Sequence, residues 1–107
     1  KVQATPEWVE QMRRYIEDEY RNPDLNINTL ADHFGLHPTY ASRSFKAYTG
    51  SGILEYLQRR RIEAAKSLLA GGASVKETAA AAGFSNPRTM TRVFNKYEGI
   101  SPGKFRT

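Results

Sequence analysis

The feature that most constrains this chain is an internal repeat. Residues 35–50 read Gly-Leu-His-Pro-Thr-Tyr-Ala-Ser-Arg-Ser-Phe-Lys-Ala-Tyr-Thr-Gly, and residues 83–99 read Gly-Phe-Ser-Asn-Pro-Arg-Thr-Met-Thr-Arg-Val-Phe-Asn-Lys-Tyr-Glu-Gly. With Asn86 taken as a single insertion, Gly35, Pro38, Arg43, Phe45, Tyr48 and Gly50 fall on Gly83, Pro87, Arg92, Phe94, Tyr97 and Gly99. Ile27 and Ala31 carry the match upstream to Val75 and Ala79. A match of this length, at a period of about half the chain, implies duplication of one supersecondary unit.

Each copy reads as two helices joined by a short glycine-containing turn, the pattern of a helix-turn-helix. In the first copy, Asn28 is expected to cap a short helix over Thr29–Phe34, and Gly35 supplies the left-handed residue that stops it. A second helix starts at Pro38 and runs to about Tyr48, ending at Gly50. In the second copy, Ser74-Val75-Lys76-Glu77 is a capping box, Gly83 is the stop, and Asn86-Pro87 opens a helix to about Tyr97. Ala41, Phe45 and Tyr48, and their counterparts Met90, Phe94 and Tyr97, recur at i, i+4 and i+7 and face a core.

Around the repeat, Thr5-Pro6-Glu7 is read as the cap and first turn of a scaffold helix. Its apolar stripe is Trp8, Met12, Ile16 and Tyr20, with Val9 and Tyr15 beside it; Glu10, Glu17 and Asp18 form an acidic outer face. A long helix is expected from Ser51 to about Ala70, with Ile53, Leu57, Ala65, Leu68 and Leu69 inward and Gly71-Gly72 closing it. At ~1.5 Å per residue its roughly 18 residues span about 27 Å, a rigid connector between the copies. Ser101-Pro102 opens a short last helix through Arg106. Alternation typical of a strand is missing. The expected fold is all-α: two helix-turn-helix units joined by a long linker helix, about seven helices in total. The expected division is a residual linker over residues 1–4, a first unit with its scaffold helix over 5–50, a linker helix over 51–72, and a second unit with a short C-terminal helix over 73–107.

A chain of 107 residues beginning Lys-Val-Gln-Ala-Thr, without an initiating Met, is expected to be cut from a longer protein. No apolar run approaches the roughly 18 residues of a membrane span. The absence of Cys removes disulfides, thiolate zinc sites and cysteine nucleophiles and fits a reducing compartment. Charge is unevenly placed: residues 1–34 hold four Lys/Arg against seven Asp/Glu, a balance of −3, and residues 35–107 hold twelve against four, a balance of +8. The segment containing both repeats therefore invites a polyanionic partner.

In order along the chain stand Ala31-x-x-x-Gly35, Tyr40-x-x-Arg43-x-Phe45-Lys46, Gly50, Tyr56-Leu57 and Arg61-Ile62-x-x-Ala65-x-x-Leu68-Leu69. They continue with Ala79-x-x-x-Gly83-Phe84, Arg92-Val93-Phe94-x-Lys96 and Gly99-x-Ser101-Pro102-x-x-Phe105-Arg106. From about Ile27 to Arg106 the chain resembles the C-terminal DNA-binding domain of the AraC/XylS family of transcription regulators. The resemblance implies two recognition helices entering successive major grooves on one face of B-DNA. It also implies RNA polymerase as a partner, activation as the usual outcome, a bacterial cytoplasmic (nucleoid) location, and an N-terminal domain for sensing or dimerisation. The fragment itself is expected to be monomeric, without cofactor or metal. His37, where the family commonly has Ser, departs from the pattern, as do Gly52, Ala41, Thr89 and Met90.

Outward faces of small polar and basic groups suit base edges and phosphates. Thr39, Ser42, Arg43 and Lys46 lie on one such face, and Arg88, Thr89, Arg92 and Lys96 on the other. The resemblance places Thr39, Ser42, Arg88 and Thr89 against bases. Arg43 and Arg92 either contact base edges or phosphates, or pair with nearby acids. Lys46, Lys96, Arg59 and Arg60 are candidates for phosphates, as are the backbone amides near Thr29 and Val75. Arg61 completes the basic run, with a structural role at the helix junction as its alternative. His33 and His37 have the i, i+4 spacing of a metal pair, but Gly35 interrupts the helix between them and no third ligand is evident. Two other functions are compatible with the composition: a helical module binding an acidic protein, and a domain accompanying a DNA-alkylation repair enzyme. The second of these needs a reactive cysteine that the chain lacks.

Overall fold

The computed structural model describes residues 4–107 and places seven helices and no strand among them. These are α1 (Glu7–Glu19), α2 (Ile27–His33), α3 (Pro38–Thr49), α4 (Ile53–Ala70), α5 (Val75–Ala81), α6 (Pro87–Glu98) and α7 (Pro102–Arg106). The first three residues of the linker expected over 1–4 lie outside the described residues.

The repeat is a repeat of backbone as well as of sequence. α2 and α5 are each 7 residues long and α3 and α6 each 12. Ile27 and Val75 are 48 positions apart while Pro38 and Pro87 are 49 apart, so the extra residue falls in the turn, where Asn86 was expected. Both turns close alike: the Leu36 amide donates to the Ala31 carbonyl at 2.8 Å and the Phe84 amide to the Ala79 carbonyl at 2.9 Å. Gly50 (φ 89°) and Gly99 (φ 76°) then end α3 and α6 in the left-handed conformation that a side chain would strain.

Three helix starts differ from expectation, each for a local reason. Pro6, not Thr5, is the cap residue of α1, and no side chain caps it, because Thr5 stands one position too early. Asn26, not Asn28, caps α2: its side chain accepts from the Thr29 amide at 3.0 Å while the Thr29 hydroxyl accepts from the Asn26 amide at 2.9 Å. This is a capping box with Thr in place of the usual Glu or Gln. α4 begins at Ile53 after Gly52 rather than at Ser51. The Thr49 hydroxyl donates to the Ser51 carbonyl at 2.8 Å, which holds Ser51 in the turn.

Two apolar clusters share α4. Val9, Met12, Ile16, Leu30, Phe45 and Leu57 belong to the first, and Ile62, Leu69, Ala79, Met90, Val93 and Phe94 to the second. Ala64 packs against both. The inward side of α4 also takes in Ile62 and Arg61, whereas Leu68 is only half-buried. On α1, Glu17 is not simply an outer acid. It accepts from Arg60 at 2.6 Å and from the Tyr56 hydroxyl at 3.0 Å, tying α1 to α4.

Two stability predictions follow from α5. Glu77 is held below the ordinary carboxylate range first by its bond from the Ser74 backbone and then by the Ser74 side chain. A depressed folded value contributes stability that is present above the unfolded Glu range, ~4.3, and is lost as pH falls through the folded value. Glu77→Gln should therefore flatten the acid limb of a plot of thermal midpoint against pH. The repeat register sets Thr78 at the position of Leu30, and its fully buried hydroxyl has no hydrogen-bond partner among the described residues. Thr78→Val should raise the unfolding free energy by about 1–2 kcal/mol in urea titrations, with the slope unchanged.

Candidate nucleic-acid interface

α3 and α6 present equivalent faces. The 49-residue offset between their first residues pairs Thr39 with Arg88, Tyr40 with Thr89, Ser42 with Thr91, Arg43 with Arg92, Lys46 with Asn95 and Ala47 with Lys96. Thr39, Arg43, Lys46, Arg88, Arg92 and Lys96 are exposed, and Ser42 and Thr89 are half-buried against the helices behind them. The inward residues anchor these faces: Ala41, Phe45, Met90 and Phe94 are all fully buried. Each reading helix is thus held from behind by its core and free in front.

The faces carry little negative charge. α3 contains no acid, and the one acid of α6, Glu98, is neutralised by Lys66 of α4 at 3.2 Å. Among the described residues Arg43 and Arg92 make no ion pair or hydrogen bond, so the acid-paired alternative for them is not what the fold adopts. Arg59 and Arg60 are engaged. Arg59 bonds Glu55 at 2.9 Å and lies over the Tyr97 ring, and Arg60 bonds Glu17 and lies over the Tyr20 ring. Burial is the largest single influence on the Arg60 pKa and draws it down, but the bond to Glu17 and the neighbouring Tyr20 and Glu17 charges together raise it overall. Arg61 takes the structural alternative, donating to the carbonyls of Tyr20 at 2.9 Å, Asn22 at 2.8 Å and Leu25 at 3.3 Å.

At the helix starts, the Thr29 amide is committed to Asn26, so it is not available to a phosphate as expected. The Ser74 hydroxyl takes the Glu77 amide, two positions beyond Val75. The two histidines are apart in role as well as in place: His33 stacks on Tyr15 with centroids 4.3 Å apart, whereas His37 Nδ1 accepts from the Thr39 amide at 3.2 Å and caps α3. No group of three or more metal-ligating side chains is found among the described residues.

Tyr40, which stands above only within a motif, and Thr91 also lie on α3 and α6 beside the candidate residues. Tyr40 is 56% exposed at the front of α3, with its ring centroid 6.3 Å from that of Trp8. Thr91 is the counterpart of Ser42. Carrying the repeat offset through every position of the helix, rather than the matching residues alone, would have found both.

Two helix-turn-helix units on one shared helix, each showing an unpaired cationic face, define a double helix-turn-helix DNA-binding domain. The chain belongs to the AraC/XylS family of transcription regulators: a family profile described as a helix-turn-helix domain matches residues 30–107. It is 36% identical over 100 residues to "Probable transcription factor PqrA" of Proteus vulgaris, covering 92% of this chain and 82% of that protein. It is also 36% identical over 102 residues to "Uncharacterized transcriptional regulatory protein YesN" of Bacillus subtilis, covering 92% of this chain but only 28% of the relative. Among solved structures it is similar to the C-terminal domain of AraT, a response regulator from Geobacillus stearothermophilus, with a TM-score of 0.89 at 27% identity. That match covers 97% of this chain and 87% of that one. The DNA-binding domain of the global transcriptional factor AdpA, solved in complex with a target DNA, superposes with a TM-score of 0.84 at 25% identity, covering 94% and 91%.

The capping geometry makes His37 a test of how firmly the first reading helix is set. His37→Ala should lower stability by about 1 kcal/mol, and His37→Asn, which copies Asn86, should restore it in thermal unfolding.

Proposed function

We propose that this domain regulates transcription by binding an asymmetric duplex site with α3 and α6 in two successive major grooves. The observation that carries this reading is the identical presentation of Arg43 and Arg92, both unpaired, on helices joined through a single 18-residue helix. The described residues extend 46 Å along their longest axis, enough to span the ~34 Å of one helical turn of DNA. Arg43 and Arg92 read base edges, with Thr39, Ser42, Arg88 and Thr89 beside them. Tyr40 adds an aromatic edge able to meet a thymine methyl group. Lys46 and Lys96 neutralise the flanking phosphates and the Val75 amide donates to one; Arg59 and Arg60 do so only by sharing their guanidinium groups with Glu55 and Glu17.

The wider expectations rest on family alone: RNA polymerase as protein partner, activation as the outcome, and a cytoplasmic site of action. A monomeric fragment and a dimeric longer protein belong with them. No helix among the described residues is long and apolar enough to cross a membrane. We read the domain as non-enzymatic. One relative at 31% identity is named as a bifunctional transcriptional activator and DNA repair enzyme, AdaA of Bacillus subtilis, and this chain, which spans 47% of it, carries no cysteine.

Selection of duplexes from a randomised pool, followed by anisotropy titration against a scrambled duplex, tests the reading. Two short motifs about one helical turn apart are expected, and Arg43→Ala and Arg92→Ala should each weaken binding by about tenfold or more while relaxing preference in one motif. Lys46→Ala should weaken binding to all sequences alike and reduce the salt slope by about one. Absence of enrichment over scrambled DNA would instead favour a module that binds an acidic protein.

A further inference from the structure

The two units touch each other directly, as well as through the helix they share. Gly83 ends the turn after α5 with φ +96°, and a Cβ built there would overlap the Tyr20 carbonyl oxygen and reach 3.0 Å from Arg21 Cα and Arg61 Nε. The backbone of the second unit is therefore seated on the end of α1 in the first. Gly35, its counterpart, is also left-handed (φ +67°), yet a Cβ there would meet nothing within 4 Å. The glycine at 35 answers to backbone conformation alone, and the glycine at 83 answers to conformation and to close approach.

Around this contact Arg61 fastens the segment from Tyr20 to Leu25 to α4 with three hydrogen bonds. Arg60 lies over the Tyr20 ring, its guanidinium carbon 4.2 Å from the ring centroid, while holding Glu17 of α1. A shared helix sets how far apart the units are, but each unit can still roll about the face by which it packs on that helix. The Gly83 seat opposes such a roll. It acts close to α6, since Pro87 follows Gly83 by four residues.

We propose that the seating of Gly83 on the Tyr20 carbonyl, latched by Arg61, fixes the roll of one unit against the other on their shared helix, and with it the twist of α3 relative to α6, and so selects the spacing between the two DNA segments the domain binds. The DNA half of this statement rests on the major-groove reading above; the geometric half does not. The arithmetic of DNA makes the latch consequential. One inserted base pair moves the second segment by about 3.4 Å along the axis and rotates it by roughly 35°, more than hydrogen bonds of ~2.7–3.2 Å can absorb. Gly83, Arg61 and Tyr20 act here as positioning residues.

Two measurements on the full chain test this. The first uses the absence of native cysteine to place spin labels at Ala47→Cys and Lys96→Cys, equivalent exposed sites on α3 and α6, and reads their distance distribution without DNA. The parent should give one narrow distribution. Gly83→Ala should shift or broaden it, and Gly35→Ala, which carries the same kind of backbone strain without the overlap, should not. Arg61→Met, which keeps the aliphatic stem, should also broaden it, and it carries the test if Gly83→Ala fails to fold by circular dichroism. The second measurement titrates the selected duplex and versions with one base pair removed, one added and two added. The parent should lose about tenfold or more per step away from its preferred spacing. Gly83→Ala should flatten or displace that profile, whereas Gly35→Ala should lower affinity by the same factor at every spacing. Parent-like distance distributions and spacing profiles in Gly83→Ala and Arg61→Met would overturn the proposal. Altered distances in the variants, together with a parent that selects no paired motif, would uphold the geometric latch and reject the major-groove reading on which its use depends.

Discussion

One buried guanidinium connects most of what is particular to this structure. Arg61 is 8% exposed, and burial pulls its pKa down. Such a charge is tolerated only where it is well bonded. Its partners are the Tyr20 carbonyl, which lies at the negative end of the α1 dipole, and the Asn22 and Leu25 carbonyls of the loop to α2. α1 has no basic residue in its last turn, so the cation that completes it arrives from α4. Hydrogen bonds to a charged group contribute about 1.5–3 kcal/mol each, which is enough to offset the desolvation of the guanidinium. The same device recurs at the far end of α4, which also lacks a basic last turn. There Arg106 of α7 donates to the carbonyls of Ala73 at 2.7 Å and Gly72 at 3.0 Å.

The duplication kept the backbone and released the side chains. Both units use helices of matching length, a left-handed glycine in the turn and another after the reading helix, and a buried Phe at the same place. Where they diverge, the first unit has Ala41, Leu30 and His37 and the second has Met90, Thr78 and Asn86. These are exchanges of volume or capping group inside a shared frame, and both interiors remain closed. On the outer faces the exchanges are chemical: Tyr40 against Thr89, Thr39 against Arg88, Lys46 against Asn95. Equal frames carrying different faces are what an asymmetric double-stranded site calls for.

The legibility of the fold followed the range of the interactions involved. Repeat register, glycine stops, the Ser74–Glu77 box and the apolar stripes depend on residues within a turn of one another, and they are visible in the letters. The starts of α1, α2 and α4 were misplaced by one or two residues because adjacent Ser, Thr, Asn and Pro offer competing caps. A difference of one bond, such as that between Thr29 and Asn26, decides among them. The outward residues of α3 and α6 could be named from periodicity, but whether their cations were free could not. The Glu55–Arg59 pair is an i,i+4 contact that spacing shows and Arg43 has no such acid, but the Tyr97 ring that comes under Arg59 from α6 is not visible in local spacing.

The sequence by itself determined that the chain is a pair of helix-turn-helix units on a connector helix, with cationic reading faces and an acidic scaffold. All of these are properties of local periodicity, capping and charge. Tertiary structure alone decided that Arg61 is a structural cap and that Glu17 binds Arg60. It also decided that Gly83 lies against the end of α1, whereas Gly35, with the same local role, lies in the open. These contacts join residues roughly forty to sixty positions apart in the chain. Their existence depends on how the two units roll on α4, which no local pattern encodes.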